Sequence, residues 1–389
     1  MKIALVSPYD FAYPGGVVNH ISALERCFTA MGHTVKVIAP ISKAVSVFGD
    51  RFIPMGSPRS VPSSGSVCRV TISLKLAKPL KEVFAREHFD IVHVHEPFMP
   101  MLCTAVLRFS PYTNVGTFHA CAGNLGYYFG WPVTAFMIRQ RARKLHGHIA
   151  VSEAARSFAA QNVPGKYAII PNGIDTEHFT PDVMPLEQYA DGKLNILFVG
   201  RLEGRKGVPY LLKAYQQVKK EVPQSRLIIV GPGKRMRQVY ERQVSWSGLK
   251  DVVFVGFSSY EDLPRYYKTA DVFCAPATGR ESFGIVLLES MAVSCPIVAT
   301  NIAGYANVVK HGAEGLLVPP RDDESLARAL VCLLTDSGLR RQMGAQGRLK
   351  ARGYCWENVS QRVMDYYTSV IDKTAYREAA VEVGAGAPG

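Results

Sequence analysis

Lys2-Ile3-Ala4-Leu5-Val6-Ser7 runs into Pro8-Tyr9-Asp10 and then into Pro14-Gly15-Gly16-Val17. The first six residues make a short apolar run, which Pro8 breaks. Apolar residues then recur at helical spacing over 17–31, and Gly32 closes the pattern. Strand, glycine turn and helix in this order open a doubly wound α/β domain. The turn is not the dinucleotide fingerprint, because the G-x-G-x-x-G spacing is absent. Gly15 and Gly16 let a large ligand come close to the backbone, although a tight turn alone reads the same way.

The next strand is predicted at 34–39, and residues 42–68, rich in Ser, Pro and Gly, as loops over the open edge of the sheet. A strand at 69–74 and a helix over 74–87 follow. Lys75, Lys78 and Lys81 recur every third residue, with Leu76, Leu80, Val83 and Phe84 elsewhere on the wheel. That pattern fits a helix lying on an anionic membrane, and equally a solvated surface helix. The strand at 90–95 ends in His93-Val94-His95-Glu96-Pro97. His93 and His95 share a strand face, but no third ligand stands at useful spacing, so strand-end packing is expected rather than a metal. The strand at 114–119 ends in Thr117-Phe118-His119-Ala120. His119 therefore lies where open α/β sheets place ligand contacts, with a structural histidine as the alternative. A glycine- and aromatic-rich loop is predicted at 123–130 and a basic helix at 131–145. Residues 148–151, 153–160 and 167–170 read as strand, helix and strand, ahead of the turn Pro171-Asn172-Gly173. Residues 176–192 carry prolines and no period, as a linker would.

A second strand–helix alternation starts at 194–200 and is followed by Arg201-Leu202-Glu203-Gly204-Arg205-Lys206-Gly207. Cations on a glycine-rich loop after a strand suit a diphosphate. Further strands are predicted at 226–230, 252–255, 270–275, 296–299 and 314–318, and helices at 208–220, 322–334, 337–351 and 356–373. Ser258-Ser259-Tyr260 ends one strand, where a nucleobase would rest. Between two of these strands stands Arg280-Glu281-Ser282-Phe283-Gly284-Ile285-Val286-Leu287-Leu288-Glu289. It reads as a loop turning directly into a helix, with Ser282 as N-cap and Gly284 allowing close approach. A helix start offers unpaired N–H groups and a positive dipole end to phosphate. Glu281 and Glu289 bracket that start, and an ionised carboxylate only accepts hydrogen bonds, so hydroxyl groups are its natural partners. Sugar, diphosphate and ribose have this shape; a buried helix with two incidental glutamates is the plainer reading.

A chain of 389 residues suggests two domains, and 48% hydrophobic residues suffice for two cores. No apolar run reaches the length of a bilayer span, and no signal peptide is expected. The eight cysteines are scattered without a C-x-x-C pair, which predicts reduced thiols rather than zinc or disulfides. Residues 1–170 hold 18 Lys and Arg against 8 Asp and Glu, most of the overall charge of +13. A basic first half implies an anionic partner. No nucleic-acid module is visible, so a membrane is favoured over DNA or RNA.

Pro14-Gly15-Gly16, His93-Val94-His95-Glu96-Pro97, Thr117-Phe118-His119, Ala150-Val151-Ser152, Pro171-Asn172-Gly173, Gly200-Arg201 with Arg205-Lys206-Gly207, and Glu281-x7-Glu289 stand in this order along nearly the whole chain. Together they resemble the retaining glycosyltransferases of family 4, with the GT-B fold. Pro8-Tyr9 and Cys274-Ala275-Pro276 make the resemblance narrower, toward the phosphatidylinositol mannosyltransferases. The resemblance implies two Rossmann-like doubly wound parallel-sheet domains facing across a cleft: an acceptor domain at 1–175, the linker 176–192, a donor domain at 193–355, and a helix 356–373 crossing back to the first domain. Residues 374–389 are expected as a disordered tail. GDP-mannose is the implied donor, a phospholipid the acceptor, and no metal or other cofactor is required. The enzyme is expected in the cytoplasm, peripheral on the inner face of the cell membrane.

Carried over by position, Arg201, Arg205 and Lys206 hold the diphosphate, and Ser282, Phe283, Gly284 and Ile285 receive it. Glu281 binds hydroxyls of the transferred sugar, Glu289 the ribose, and Ser258 and Tyr260 the base. Gly16 approaches the donor phosphate and His119 the sugar, so His119, Arg201, Lys206 and Glu281 form the expected catalytic set. Tyr9, Asp10, Ser63, Ser64 and Arg69 are expected on the acceptor, and Lys75, Lys78 and Lys81 on the membrane. Two departures fall on the acceptor side: Val18 stands in place of a glutamine, and Ser63-Ser64 in place of a Tyr-Asn pair. The rival readings are a transferase using a UDP-sugar or another GDP-sugar on diacylglycerol, inositol phosphate or a soluble glycan, a nucleotide-sugar epimerase, and a nucleic-acid-binding protein.

Overall fold

A computed structural model describes residues 1–43, 49–63, 66–73, 75–122 and 132–385. Ser64, the loop at 123–130 and residues 386–389 of the expected tail lie outside the described residues. The chain divides into two compact units, Met1–Asn172 with Trp356–Gly389, and Gly173–Cys355.

The first unit begins β1 (Lys2–Val6), α1 (Gly16–Ala30), β2 (Thr34–Ala39), β3 (Phe52–Pro54), β4 (Pro58–Ser63) and β5 (Ser66–Thr71). It continues α2 (Ala77–Glu87), β6 (Ile91–His95), α3 (Leu102–Phe109), β7 (Thr113–Phe118), α4 (Pro132–Ala142), β8 (Gly147–Ala150), α5 (Glu153–Ala160) and β9 (Tyr167–Ile169). Seven strands form one parallel sheet in the order β3-β2-β1-β6-β7-β8-β9. Ile3 to Val6 are fully buried, as expected of a parallel strand covered on both faces. One core joins the sheet to α2, α3 and α5 through Leu80, Phe84, Leu102, Val106 and Phe158. The other joins it to α1 through Ile21, Leu24 and Phe28.

The second unit carries β10 (Leu194–Val199), α6 (Val208–Glu221), β11 (Ser225–Val230), α7 (Lys234–Trp246), β12 (Val252–Gly256), α8 (Leu263–Thr269) and β13 (Val272–Ala275). Then come α9 (Ile285–Ala292), β14 (Ile297–Thr300), α10 (Ala303–Ala306), β15 (Gly315–Val318), α11 (Asp323–Thr335) and α12 (Ser337–Arg352). Six strands again run parallel, in the order β12-β11-β10-β13-β14-β15. Each sheet reverses its strand order once, between β1 and β6 and between β10 and β13. Ligands of open α/β sheets bind beyond the carboxyl ends of the strands at that reversal. It is there that the motif residues following β1, β6, β10 and β13 emerge.

The structure corrects three expectations. Residues 58–63 and 66–71, expected as loop and the edge of a strand, pair antiparallel as a hairpin, from Pro58↔Thr71 to Ser63↔Ser66. Serines and prolines carry little intrinsic strand preference, and the pairing itself supplies what composition lacks. Lys75 precedes α2, which starts at Ala77. The last helix, α13 (Trp356–Ala385), continues well past 373, through Arg, Glu and Ala residues that favour helix. Within the stretch read as a linker, Phe179 is buried and its N–H donates to the Asp175 carbonyl at 2.9 Å.

Helix α13 completes the first unit's second core with Trp356, Val359, Val363 and Tyr367. The Tyr367 hydroxyl lies 2.5 Å from His93 Nδ1, and His93 Nε2 lies 2.6 Å from Thr117 Oγ1. A neutral imidazole uses each nitrogen once in this chain, accepting from Tyr367 and donating to Thr117. Tyr367→Phe leaves His93 Nδ1 buried without a partner. It is expected to lower stability by about 1–3 kcal/mol, read as a lower urea midpoint at unchanged slope; an unmoved midpoint would refute this role.

Candidate active site

In the second unit, the chain leaving β10 passes Gly200 and Arg201 and makes a tight turn at Gly204–Lys206. Gly207 follows at φ +77°, and a Cβ there would lie 1.8 Å from the Pro276 carbonyl oxygen. Only glycine allows this contact between the loops after β10 and β13. Thr278 N–H closes it by donating to the Arg205 carbonyl at 2.8 Å. A second glycine, Gly304, leaves room for the backbone of Glu281, whose carbonyl oxygen would be 2.0 Å from a Cβ. Two loops distant in sequence are thereby locked together at the sheet reversal.

The side chains on those loops form one charge knot. Arg205 Nε meets Glu203 Oε2 at 3.0 Å, and its other arm bonds Glu281 Oε1. Lys206 Nζ reaches the same Glu281 oxygen at 2.8 Å. Arg201 Nε lies 3.3 Å from Glu203 Oε1. Burial opposes the charge of Arg205, but Glu281 and Glu203 outweigh it and raise its pKa. The side chains of Lys206 and Glu281 are 14% and 12% exposed, against 53% for Arg201. Glu281 Oε2 takes no hydrogen bond among the described residues.

Helix α9 starts as the sequence predicts, but its N-cap is Gly284 at φ +86°, with no side-chain cap bond. Ser282 stands two residues too early to cap it, because Gly284 takes the left-handed turn into the helix. A Cβ at Gly284 would run into the Tyr305 ring at 2.6 Å. Phe283 is buried, and Ile285 opens the helix. Glu289 is buried on α9 and accepts from the Tyr267 hydroxyl at 2.7 Å. Burial pushes its pKa up to about 7, while Tyr267 and the nearby charge of Lys206 act the other way. Beyond β12, Tyr260 stacks on His178 with centroids 4.2 Å apart and planes at 14°. Ser258 Oγ donates to the Ser259 carbonyl at 3.3 Å, and the neighbouring Phe257 is 71% exposed.

In the first unit, Tyr9 bridges to Val70, and Asp10 N–H donates to the Arg69 carbonyl at 3.0 Å. The hairpin thus brings Tyr9, Asp10 and Arg69 together. Asp10 turns toward its own loop, where Oδ1 accepts from Ala12 and Ser42 N–H at 3.1 and 3.0 Å. The Arg69 guanidinium lies 3.8 Å over the Tyr13 ring, and Lys43 approaches the same ring at 5.4 Å. Neither Tyr13 nor Lys43 carried a motif signal. Ser63 ends β4. Gly16 is the first residue of α1, and a Cβ there would meet nothing within 4 Å, so no contact within the described residues demands glycine.

The expectation that His93 and His95 lack a third neighbour does not hold in space. His20 from α1 and His119 from the end of β7 converge on His95, with ligand atoms of the three within 4.8 Å of one another. Sequence spacing conceals this, because the three lie on separate elements. His95 Nδ1 and His119 Nε2 are 3.0 Å apart, and His20 Nδ1 lies 2.9 Å from Asn172 Oδ1. Glu96 Oε1 holds the backbone N–H groups of His119 and Ala120 at 2.7 and 2.8 Å. Burial lowers the pKa of His20 to about 4 and of His93 to about 3, and brings His95 and His119 well below the usual range. These imidazoles are neutral and act through hydrogen bonds rather than charge.

Lys75, Lys78 and Lys81 are exposed; Lys78 lies 4.0 Å from Glu82, and Lys81 sits 5.4 Å over the Phe109 ring. No helix among the described residues is long and apolar enough to cross a membrane.

Residues 14–178 match the model of Glycosyltransferase Family 4, and residues 186–350 that of Glycosyl transferases group 1. The chain is 33% identical over 389 residues to the phosphatidyl-myo-inositol mannosyltransferase of Mycobacterium tuberculosis (strain ATCC 25618 / H37Rv), covering 98% of this chain and 100% of the relative. It is 26% identical over 370 residues to the GDP-mannose-dependent alpha-(1-6)-phosphatidylinositol monomannoside mannosyltransferase of M. tuberculosis (strain CDC 1551 / Oshkosh), covering 90% of this chain and 94% of the relative. Among solved structures, sucrose-phosphate synthase from Thermosynechococcus elongatus matches with a TM-score of 0.75 at 22% identity, over 96% of this chain and 99% of that one. Two parallel-sheet units with these matches establish the GT-B fold. The chain is a glycosyltransferase that belongs to family 4, among the phosphatidyl-myo-inositol mannosyltransferases.

Proposed function

We propose that the protein moves mannose from GDP-mannose to the inositol of phosphatidylinositol, with retention of the anomeric configuration and without a metal. The observation that carries the donor half is the knot of Arg201, Arg205 and Lys206 with Glu203 and Glu281, close enough to Glu289 for the charge of Lys206 to act on it. Three cations and two carboxylates leave a net positive site for a diphosphate. Glu281 Oε2 stands ready to accept from a sugar hydroxyl while Oε1 fixes the two cations. Relatives named for GDP-mannose and for phosphatidyl-myo-inositol support the choice of donor and acceptor.

We assign Glu281 a binding role, one oxygen shared by Arg205 and Lys206 and the other for a sugar hydroxyl, and no residue of the knot the role of nucleophile. The reading is therefore front-face substitution. The acceptor hydroxyl bonds to the anomeric carbon on the side from which the diphosphate departs, and its proton passes to the departing phosphate oxygen. Arg201 and Lys206 stabilise the growing charge through charge-assisted hydrogen bonds in a site prepared beforehand. Gly16, at the start of α1, suits a phosphate approaching the helix N-terminus. His119 offers the sugar a neutral imidazole, and Tyr9 and Arg69 offer the acceptor phosphate a hydroxyl and a cation.

For a lipid acceptor, Lys75, Lys78 and Lys81 are the exposed cations that would rest on the anionic inner face of the membrane. Each contributes about 1 kcal/mol near such a surface, and salt screens the attraction.

Lys206→Ala is expected to lower turnover ~10²–10³-fold. Radiolabelled GDP-mannose with phosphatidylinositol in detergent, followed by lipid extraction, reads this directly. Near-normal turnover would remove Lys206 from the mechanism, and labelled lipid from UDP-sugars but not from GDP-mannose would overturn the donor. Replacing Lys75, Lys78 and Lys81 by Gln should abolish salt-sensitive co-sedimentation with anionic vesicles while leaving transfer in detergent intact; unchanged sedimentation refutes the membrane role.

A further inference from the structure

Glu289 is held from one side. Its Oε2 lies 2.7 Å from the hydroxyl of Tyr267 on α8, and both side chains are buried. We propose that Tyr267 is a positioning residue for donor recognition, whose hydroxyl aims the Glu289 carboxylate at the ribose hydroxyls of the bound nucleoside diphosphate. This deepens the reading of Glu289 as the ribose acceptor and rests on it.

The ring of Tyr267 is fully buried, with the Phe273 ring of β13 at 5.2 Å and the Phe179 ring at 6.1 Å. A tyrosine so confined keeps its hydroxyl at one point, and a buried hydroxyl needs a partner. Burial, then the charge of Glu289, raises its pKa well above the usual tyrosine value, so the phenol stays neutral and gives its proton to the carboxylate. Oε2 is thereby fixed, and Oε1, which takes no hydrogen bond among the described residues, is left for the ligand. Without such an anchor, Glu289 would turn about its own bonds and present either oxygen, or a protonated carboxyl, to the sugar.

The surroundings set the protonation state. Lys206 faces Glu289 from the loop after β10 and favours the carboxylate, as Tyr267 does. Cys295 and Tyr305 face Tyr267 rather than Glu289. From α12, Arg348 bonds the Ala292 carbonyl at 2.7 Å, at the far end of α9. Burial alone opposes ionisation and brings the pKa to about 7. A carboxylate is thus available above that value and lost as pH falls through it. Removing the Tyr267 hydroxyl raises the threshold, so ribose recognition fades at a higher pH.

The test is calorimetric titration of the full chain with GDP and with 2′,3′-dideoxy-GDP, which lacks both ribose hydroxyls. Tyr267→Phe keeps the ring, and circular dichroism checks that the variant is folded. It is expected to weaken GDP about tenfold, to leave the dideoxy nucleotide as in the wild type, and to move the acidic limb of GDP binding to higher pH. The Tyr267→Phe/Glu289→Gln double variant should bind GDP no more weakly than Glu289→Gln alone. If Glu289→Gln discriminates between the nucleotides and Tyr267→Phe does not, the proposal falls while the ribose reading stands. If Glu289→Gln weakens both nucleotides equally, the ribose reading falls and takes the proposal with it.

Discussion

One oxygen atom, Oε1 of Glu281, draws both Arg205 and Lys206 to itself, and the loops at the second unit's sheet reversal are arranged around that convergence. Two cations brought together by a sheet reversal repel each other and lose their water. A carboxylate between them relieves both costs only if the geometry is held from outside, because desolvating ions offsets much of what their attraction returns. The holding is done by backbone. Gly207 lets one loop touch Pro276, and Gly304 makes room for the Glu281 carbonyl. The glycines are therefore part of the electrostatics, since a Cβ at either position would separate the charges.

The first unit is built differently. Where the second concentrates charge, the first buries four imidazoles and keeps them uncharged. His93 is held by Tyr367 and Thr117, His95 by His119, and His20 by Asn172. Such a chain fixes ring planes and tautomers without building a field. The overall positive charge of the first 170 residues lies elsewhere, in exposed groups such as Lys78 and Lys81.

Where the sequence spoke clearly, it did so through period and punctuation. The glycine turn after 2–7 announced the doubly wound sheet, and the loop before Glu289 announced α9. Both are local signals. Four of the described helices gave no such signal: α7 is polar around most of its surface and buries only Tyr240, while α3, α8 and α10 are short, at 8, 7 and 4 residues. The hairpin of β4 and β5 was hidden because its stability comes from cross-strand partners rather than from strand-forming residues. The same reason hid Tyr267, Glu203, His20 and Tyr13. Each matters through a neighbour distant in sequence, and spacing along one chain does not report that neighbour.

The departures from the family pattern can now be placed. Val18, where a glutamine is usual, is 8% exposed and packs into the core with Ile21 and Leu24. A glutamine amide in that position would have to find partners, whereas valine needs none. Ser63 ends β4, in the two-stranded hairpin rather than in the seven-stranded sheet. Both departures fall in the first unit, and the loops that bear Arg201, Lys206, Glu281 and Glu289 fall in the second. In the first unit Arg69 lies over the Tyr13 ring with Lys43 at the same ring, so two cations share one aromatic side chain.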